Sequence, residues 1–163
     1  GPAALLAVMN RSIKHSLGQH TAEGASDDGL EMAICKVFPD EGRMVFAGAR
    51  MSLFHSRDGA LEELKGDRPA MGYRHIPAEQ TYTNQTLMVE PGQRFYLVSD
   101  GFIDQVGGPK HRMLGKKRLA DLITACWDQP FAAQKDEILA AFHAYRGEES
   151  QRDDLSMVGF TLG

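Results

Sequence analysis

The chain has 163 residues, of which 42% are hydrophobic and 25% are charged, and its formal net charge is −4. These values predict one globular domain, residues 1–163, that is long enough to bury a core. The acidic balance argues against a nucleic-acid-binding protein, because such proteins concentrate positive charge. The short basic run at 110–118 is therefore interpreted as a solvated loop and helix start.

The cysteines and the hydropathy of the chain bear on its compartment. Cys35 and Cys126 form no CxxC motif, which predicts buried thiols in a reducing compartment. No apolar stretch approaches the roughly 20 residues that a transmembrane helix needs. No signal peptide is recognisable either. We therefore expect a cytoplasmic domain.

The first predicted element is an amphipathic helix over residues 2–19. Apolar side chains recur there at i, i+4 spacing, at Leu5, Met9, Ile13 and Leu17, which is typical of one face of a helix. A polar loop of small residues follows it.

The remaining elements are short strands followed by two helices. Consecutive strands separated by turn residues indicate an antiparallel meander. Because strands come first and helices later, without regular βαβ alternation, the order predicts an α+β fold with helices covering a mostly antiparallel sheet. The predicted strands are 30–38, 43–49, 51–57, 60–66, 81–89, 94–99 and 155–162, and the later helices are 115–126 and 131–146.

Three common site motifs are absent from the sequence. The spacing before Lys116 does not fit a phosphate-binding loop, and there is no GxSxG nucleophile elbow. The six histidines lack the short spacings typical of a zinc site.

The remaining candidates are carboxylates at the ends of predicted strands. Asp100 follows the buried strand 94–99, Asp104 lies one helical turn further on, and Asp153 and Asp154 open the last strand. If these strands are neighbours, Asp100 and Asp153 share one rim, where a cation would offset their repulsion. Carboxylate oxygens suit Mg²⁺ or Mn²⁺. Two such ions can activate water for in-line attack on phosphorus.

The residue types alone leave a second interpretation open. Gly101 would let the backbone approach a metal shell without a Cβ in the way, but most Asp-Gly dipeptides are turns. The chain has two others, Asp28-Gly29 and Asp58-Gly59. Asp153-Asp154 could equally be a solvated pair after a charged loop.

Several stretches, in order along the chain, resemble one known family. "FYLVSDGFIDQVGG" (95–108) is similar to the metal-binding segment of PPM-type (protein phosphatase 2C-like) serine/threonine phosphatases, in the bacterial SpoIIE/RsbU branch. "RDDLSMVGF" (152–160) resembles the last motif of that family. "DDGLEMAICKV", "VFAGAR", "LKGDRPAMG" and "TNQTLMVEPGQRFYLVSDG" match in the family's order. The likeness runs from about residue 2 to residue 163.

The resemblance implies a fold and an activity. The fold would be an antiparallel β-sandwich flanked by helices, the αββα arrangement, incomplete at its N-terminus. The activity would be Mg²⁺- or Mn²⁺-dependent hydrolysis of phosphoserine or phosphothreonine on a small regulatory protein, in bacterial partner-switching signalling. Two or more ions would bind the complete domain. A sensory module would lie upstream in the parent protein, which leaves membrane attachment of that protein open.

The resemblance also assigns roles to residues. Asp100 and Asp153 would be the catalytic residues and core metal ligands, with Gly101 at the metal site. Asp104 would serve an additional, weaker metal position, and Asp154 would have a supporting role.

Part of the family pattern has no counterpart here. A full domain has an N-terminal Gly-Asp motif and an Asp-x-x-Gly-His-Gly segment, and neither occurs in this sequence. We therefore expect weak or absent turnover from the 163 residues alone. Exposed sheet edges would also favour a homodimer.

Two other functions remain open. A phosphatase-like binding module that has lost its metal would hold a partner by its surface, and the missing N-terminal aspartate favours it. A stress-sensing structural domain whose basic 110–118 loop docks a membrane or nucleic acid is the weaker rival.

Overall fold

The computed structural model describes residues 1–21 and 26–162, which divide into two compact units. The first unit comprises Gly1–Leu53, Glu63–Gly92 and Leu162, and the second comprises Phe54–Glu62 and Gln93–Thr161. Part of the predicted polar loop after the first helix lies outside the described residues. Within the described ranges, no helix has the length and apolar character needed to cross a bilayer.

The described elements comprise helices and short strands, with a 3-10 turn at Pro39–Glu41. The helices are α1 (Pro2–Ser16), α2 (Asp100–Ile103), α3 (Gly115–Cys126) and α4 (Phe131–Arg146). The strands are β1 (Met32–Phe38), β2 (Arg43–Ala49), β3 (Leu53–Arg57), β4 (Ala60–Leu64), β5 (Gln85–Met88), β6 (Arg94–Val98), β7 (Val106–Gly107), β8 (Arg112–Met113) and β9 (Met157–Thr161).

The face of α1 that the apolar spacing predicts is half correct, because Met9 and Ile13 pack against the core of the first unit. Leu5 and Leu17 are 50% and 41% exposed. The buried side chains of this helix include Leu6, Asn10 and Lys14. The apolar periodicity missed part of the buried face because two polar residues are buried, where they bind backbone groups of another segment.

A buried polar network joins α1 to residues 72–78. The Asn10 amide donates to the carbonyl of Pro77 (2.9 Å) and accepts from the backbone N–H of Gly72 (2.9 Å). The Lys14 ammonium donates to the carbonyl of Tyr73 (2.8 Å). These bonds satisfy loop carbonyls and amides that would otherwise lose hydrogen bonds on burial.

The first unit contains a three-stranded sheet in the order β1-β2-β5. Both pairs are antiparallel, with Met32 opposite Ala49 and Val45 opposite Thr86. β3 and β4 belong to the other sheet, so the prediction of one continuous meander is wrong. The chain leaves β2 at Arg50, which adopts φ 58° and donates its N–H to the carbonyl of Asp67 (2.8 Å).

The second unit holds most of a four-stranded sheet in the order β4-β3-β6-β9. Tyr96 and Val98 of β6 are buried against apolar side chains of α3 and α4. The bounds of α3 and α4 agree with the predicted helices 115–126 and 131–146. The antiparallel strand pairs and separate helices confirm the α+β class. The buried core of this unit comprises Phe54, Tyr96, Val98, Phe102, Leu114, Leu119, Ile123, Cys126, Ile138 and Phe142.

Both cysteines are free thiols. Cys126 is buried and Cys35 is half-buried. Burial raises the pKa of the Cys35 thiol to about 11 and also raises the pKa of Cys126. Both side chains are therefore protonated at neutral pH and are poor nucleophiles.

Candidate functional site

The rim predicted for the carboxylates lies where β6 ends and β9 begins. The two strands are antiparallel neighbours, with Val98 opposite Met157. One residue beyond that pair, the N–H of Ser99 donates to the carbonyl of Ser156 (2.9 Å). β6 and β9 are therefore adjacent strands, as the predicted rim requires. Their pairing brings the residues that follow β6 beside the residues that precede β9.

The side chain of Ser99 joins these two segments by hydrogen bonds, a kind of link here called a fastening. Its hydroxyl accepts a hydrogen bond from the N–H of Ser156 (3.0 Å) and donates to the carbonyl of Asp154 (3.3 Å). Asp100 is therefore attached to a residue whose side chain is bonded to the Asp154 backbone. The sequence reasoning missed Ser99. A serine before Asp-Gly is a common N-cap, and it does stand at the N-cap of α2 although its side chain makes no capping bond.

Gly101 allows a close approach on the same rim. A Cβ at this position would fall well inside contact distance of the Asp154 carbonyl oxygen and 3.1 Å from its carbonyl carbon. Because both neighbours are backbone atoms of a fastened segment, any larger residue would push the two segments apart. The glycine is therefore required by packing between the segment that carries Asp100 and the segment that carries Asp153 and Asp154.

The short helix α2 sets the spacing of two carboxylates. Asp100 is its first residue, and the N–H of Asp104 donates to the carbonyl of Asp100 (2.8 Å). Both aspartates are exposed. The prediction that Asp104 lies one helical turn beyond Asp100 is confirmed. Whether either residue binds a metal stays a prediction.

Asp153 and Asp154 lie in a loop before the last strand. β9 begins at Met157, so the two aspartates precede the strand instead of opening it. The N–H of Asp154 donates to Oδ1 of Asp153 (2.7 Å), and the Gln151 amide donates to the Asp153 carbonyl (2.9 Å). This local turn leaves both aspartates exposed on the rim.

Gln105 also joins the two segments. Ser99 directly precedes α2, and Gln105 lies just after its end. Gln105 is fully buried, and its amide donates to the carbonyls of Val106 (2.9 Å) and Ser150 (3.0 Å). Its side-chain oxygen accepts from the N–H of Arg152 (3.3 Å). Ser99 and Gln105 thus bracket Asp100–Asp104 on one segment and hold residues 150–156 on the other. Sequence reasoning missed this residue, because its partners are backbone groups 45 and 47 residues away.

The donors on the rim have the chemistry of a hard-cation site. Asp100, Asp104, Asp153 and Asp154 offer carboxylate oxygens, which Mg²⁺ and Mn²⁺ prefer. Among residues 1–21 and 26–162, however, no three His, Cys, Asp or Glu side chains form a group able to hold a metal ion. The rim therefore fits the ion in donor type and supplies part of a ligand set.

A cavity of about 350 Å³ lies beneath the same segments. Phe102 follows Asp100 by two residues and Leu155 follows Asp153 by two, and both line it. Its lining is mostly apolar and includes none of the rim carboxylates. The candidate site is therefore an exposed rim above an apolar layer.

Known proteins share the sequence pattern and the fold of this chain. The sequence profile of the family Stage II sporulation protein E (SpoIIE) matches residues 1–162. A search of curated proteins finds no match. Among solved structures, the SiaA-PP2C domain of Pseudomonas aeruginosa is 33% identical over 98% of this chain, with a TM-score of 0.85. This chain spans 60% of the length of that domain structure.

Two more distant structures share the fold. The phosphatase domain of SpoIIE from Bacillus subtilis, presoaked in Mn, is 13% identical with a TM-score of 0.62; the match covers 96% of this chain and 72% of that one. The RsbU and RsbW domains of a Mycobacterium tuberculosis protein are 14% identical with a TM-score of 0.66, over 96% of this chain and 40% of that one.

Proposed function

Because the chain belongs to the SpoIIE family of PP2C-like phosphatases, we propose that it supplies the rim carboxylates of a metal-dependent serine/threonine phosphatase. The substrate is phosphoserine or phosphothreonine on a small regulatory protein. The RsbU-type and SpoIIE-type relatives support a place in bacterial signalling by partner switching. We extend the proposal to a cytoplasmic site of action and to a homodimer formed through exposed sheet edges.

One observation carries the proposal. The side chain of Ser99 binds the backbone of Asp154 and Ser156. Gly101 packs directly on the Asp154 carbonyl. These contacts bring the segment that carries Asp100 beside the segment that carries Asp153, as a shared ion requires.

The roles of the rim residues follow from this arrangement. Asp100 and Asp153 would hold Mg²⁺ or Mn²⁺, Asp104 would serve a weaker position, and Asp154 would support the rim through its backbone. The manganese presoak of the Bacillus subtilis relative makes Mn²⁺ a sensible first choice. Such an ion supplies positive charge that offsets the phosphate charge and lowers the pKa of bound water.

A binding module without catalysis is the second candidate. It is favoured by the absence, among the described residues, of a group of three potential metal ligands. In that case the rim would be one part of a partner-binding surface, and neither turnover nor a manganese site would depend on Asp100.

The test compares Asp100→Asn with Asp128→Asn in the full-length protein. Asp128 is exposed in the loop after α3, in the same unit, and serves as a control for the loss of one carboxylate. We expect manganese-dependent hydrolysis of p-nitrophenyl phosphate and of a phosphoserine peptide, reduced about 100-fold or more by Asp100→Asn and unchanged by Asp128→Asn. Equal rates in wild type and Asp100→Asn would overturn the proposal.

A further inference from the structure

The sequence of this acidic protein concentrates basic residues in one place. Five of its 18 Lys and Arg residues fall within positions 110–118. The structure places them on the β7-β8 hairpin and the first turn of α3, a surface (residues 106–118) here called the basic hairpin. We propose that the basic hairpin docks an acidic segment of the phosphorylated protein substrate, an inference that rests on the proposed function.

The basic hairpin is a fixed platform. The Gly108 N–H donates to the carbonyl of Tyr145 (2.7 Å), and the Tyr145 hydroxyl donates to the carbonyl of Arg112 (2.7 Å). The guanidinium of Arg118 lies over the Tyr145 ring, 5.3 Å from its centroid. A surface fixed at three of its residues by contacts with Tyr145 loses little entropy when it binds a partner.

Two cations on this platform are available to a partner. Lys110 and Arg112 are exposed, and in the described ranges neither side chain has a hydrogen bond or an ion pair. Their neighbours are already engaged, since His111 contacts Glu149 (2.7 Å) and Lys117 contacts Asp121 (2.9 Å). Lys110 and Arg112 therefore present charge that the protein itself does not neutralise.

The basic hairpin is linked to the rim through Gln105. The Leu114 N–H, at the end of the hairpin, donates to the Gln105 carbonyl (2.8 Å). The Gln105 side chain binds the backbone of Ser150 and Arg152, directly before Asp153. A segment bound at the hairpin would therefore be held next to the carboxylates that face its phosphate.

An acidic protein segment suits this surface better than a nucleic acid or a membrane. Residues 106–118 contain no Phe, Tyr or Trp on which a base could stack, and the ring of His111 is engaged with Glu149. The exposed rim carboxylates would repel a long polyanion, whereas a short acidic stretch can contact the hairpin alone. Met113 is 55% exposed between the basic residues and offers an apolar contact to a peptide side chain.

The experiment uses two phosphoserine peptides in the presence of manganese, one flanked by Asp and Glu and the other by Asn and Gln. We expect kcat/KM to be about ten times higher for the acidic peptide, with the difference carried by KM. The double variant K110E/R112E should abolish this preference while hydrolysis of p-nitrophenyl phosphate is unchanged. The control R68E/K135E makes the same charge change at exposed positions elsewhere and should keep the preference.

Binding of the labelled acidic peptide by fluorescence anisotropy separates this inference from the proposed function. If nothing is hydrolysed, the proposed function fails, and the basic hairpin is still supported by peptide binding that K110E/R112E removes. Equal affinity for the two peptides overturns the docking site. Tighter binding of an oligonucleotide, or of vesicles containing phosphatidylserine, also overturns it.

Discussion

Residues 72–78 in the first unit and residues 150–156 in the second are both held by polar side chains that bind backbone groups, and all of these side chains except that of Ser99 are buried. In the first unit Asn10 and Lys14 of α1 do this, and in the second Ser99 and Gln105 do. Such bonds fix an irregular segment without burying unsatisfied groups. Only the second segment carries carboxylates exposed beside a second carboxylate-bearing segment. The two segments are thus held in the same way, and they differ in chemistry because only residues 150–156 present carboxylates.

Gly101→Ala should have the largest effect, because Gly101 packs against residues 150–156 of the second unit. The new Cβ would collide with the Asp154 backbone and separate the two segments. We expect a loss of about 1–3 kcal/mol in the free energy of unfolding and a fall in phosphatase activity of about 100-fold. Chemical denaturation and manganese-dependent hydrolysis measure the two effects.

Gly159→Ala is the matched control for that substitution. Its Cβ would lie 2.9 Å from ring carbons of Phe131, a side chain in the same unit. It should lower stability by a similar amount and leave activity per folded molecule intact. Equal losses of specific activity in the two variants would refute a special role for the Gly101 contact.

Gln105→Leu tests whether the fastening positions the carboxylates. The change leaves the Ser150 carbonyl and the Arg152 N–H without their partner and should cost about 1–3 kcal/mol of stability. Because residues 150–152 lead directly to Asp153, we expect manganese affinity to fall about tenfold as well. Isothermal titration calorimetry on the folded variant measures that affinity.

Gln134→Leu separates positioning from stability. Gln134 is also buried, accepts from the Tyr96 hydroxyl (2.9 Å) and donates to the carbonyls of Trp127 (3.2 Å) and Gln129 (2.8 Å). Its removal should be as destabilising as that of Gln105 but leave manganese affinity unchanged. A parallel fall in affinity in both variants would contradict the positioning role of Gln105.

Asn10→Leu breaks the corresponding fastening in the first unit. It removes bonds to Pro77 and Gly72 and should cost about 1–3 kcal/mol of stability. Manganese affinity should stay constant, because residues 72–78 contain no carboxylate. Ser12→Ala, at an exposed position of the same helix, should change neither quantity. A loss of manganese affinity in Asn10→Leu would show that the two regions are not separable.

The smallest effect concerns pH. His55 is buried, its Nδ1 accepts a hydrogen bond from the Gln93 amide (3.2 Å), and its pKa is lowered mainly by burial, partly offset by Glu62. The unfolded state therefore binds the proton more readily than the folded state. The contribution of neutral His55 to the free energy of unfolding is complete above the ordinary histidine pKa of about 6.5. It declines as the pH falls below that value.

Denaturation at several values between pH 8 and pH 5 measures this decline. His55→Gln should flatten the pH dependence of the unfolding free energy, and His75→Gln, at an exposed position, should preserve it. An unaltered slope in His55→Gln would show that another group is responsible.

The sequence predicts the regular elements well where periodicity and end residues agree. α4 ends at Arg146, directly before Gly147 with its φ of 57°, and its bounds follow from the apolar residues on one face. The face of α1 could not be predicted the same way, because Asn10 and Lys14 are buried by bonds to a segment roughly 60 residues away. Helix α2 has only four residues, too few for a periodic pattern.

In the candidate site, too, some residues could be identified from the sequence and others could not. The carboxylates Asp100 and Asp153 were identified from their positions and from the family resemblance. Ser99 and Gln105 were missed, because each acts on backbone groups 45 to 57 residues away. A backbone partner leaves no residue type in the sequence to search for. Metal binding by Asp100, Gly101, Asp104 and Asp153, and support from Asp154, stay predictions.

The most direct test of the central claim is calorimetric titration of manganese into the full-length protein and its Asp153→Asn variant, with Asp128→Asn as the control. If Asp100 and Asp153 share an ion on the rim, wild type and Asp128→Asn should bind manganese equally. Asp153→Asn should lose the site or bind it at least about ten times more weakly. Superimposable titrations of wild type and Asp153→Asn would contradict the account.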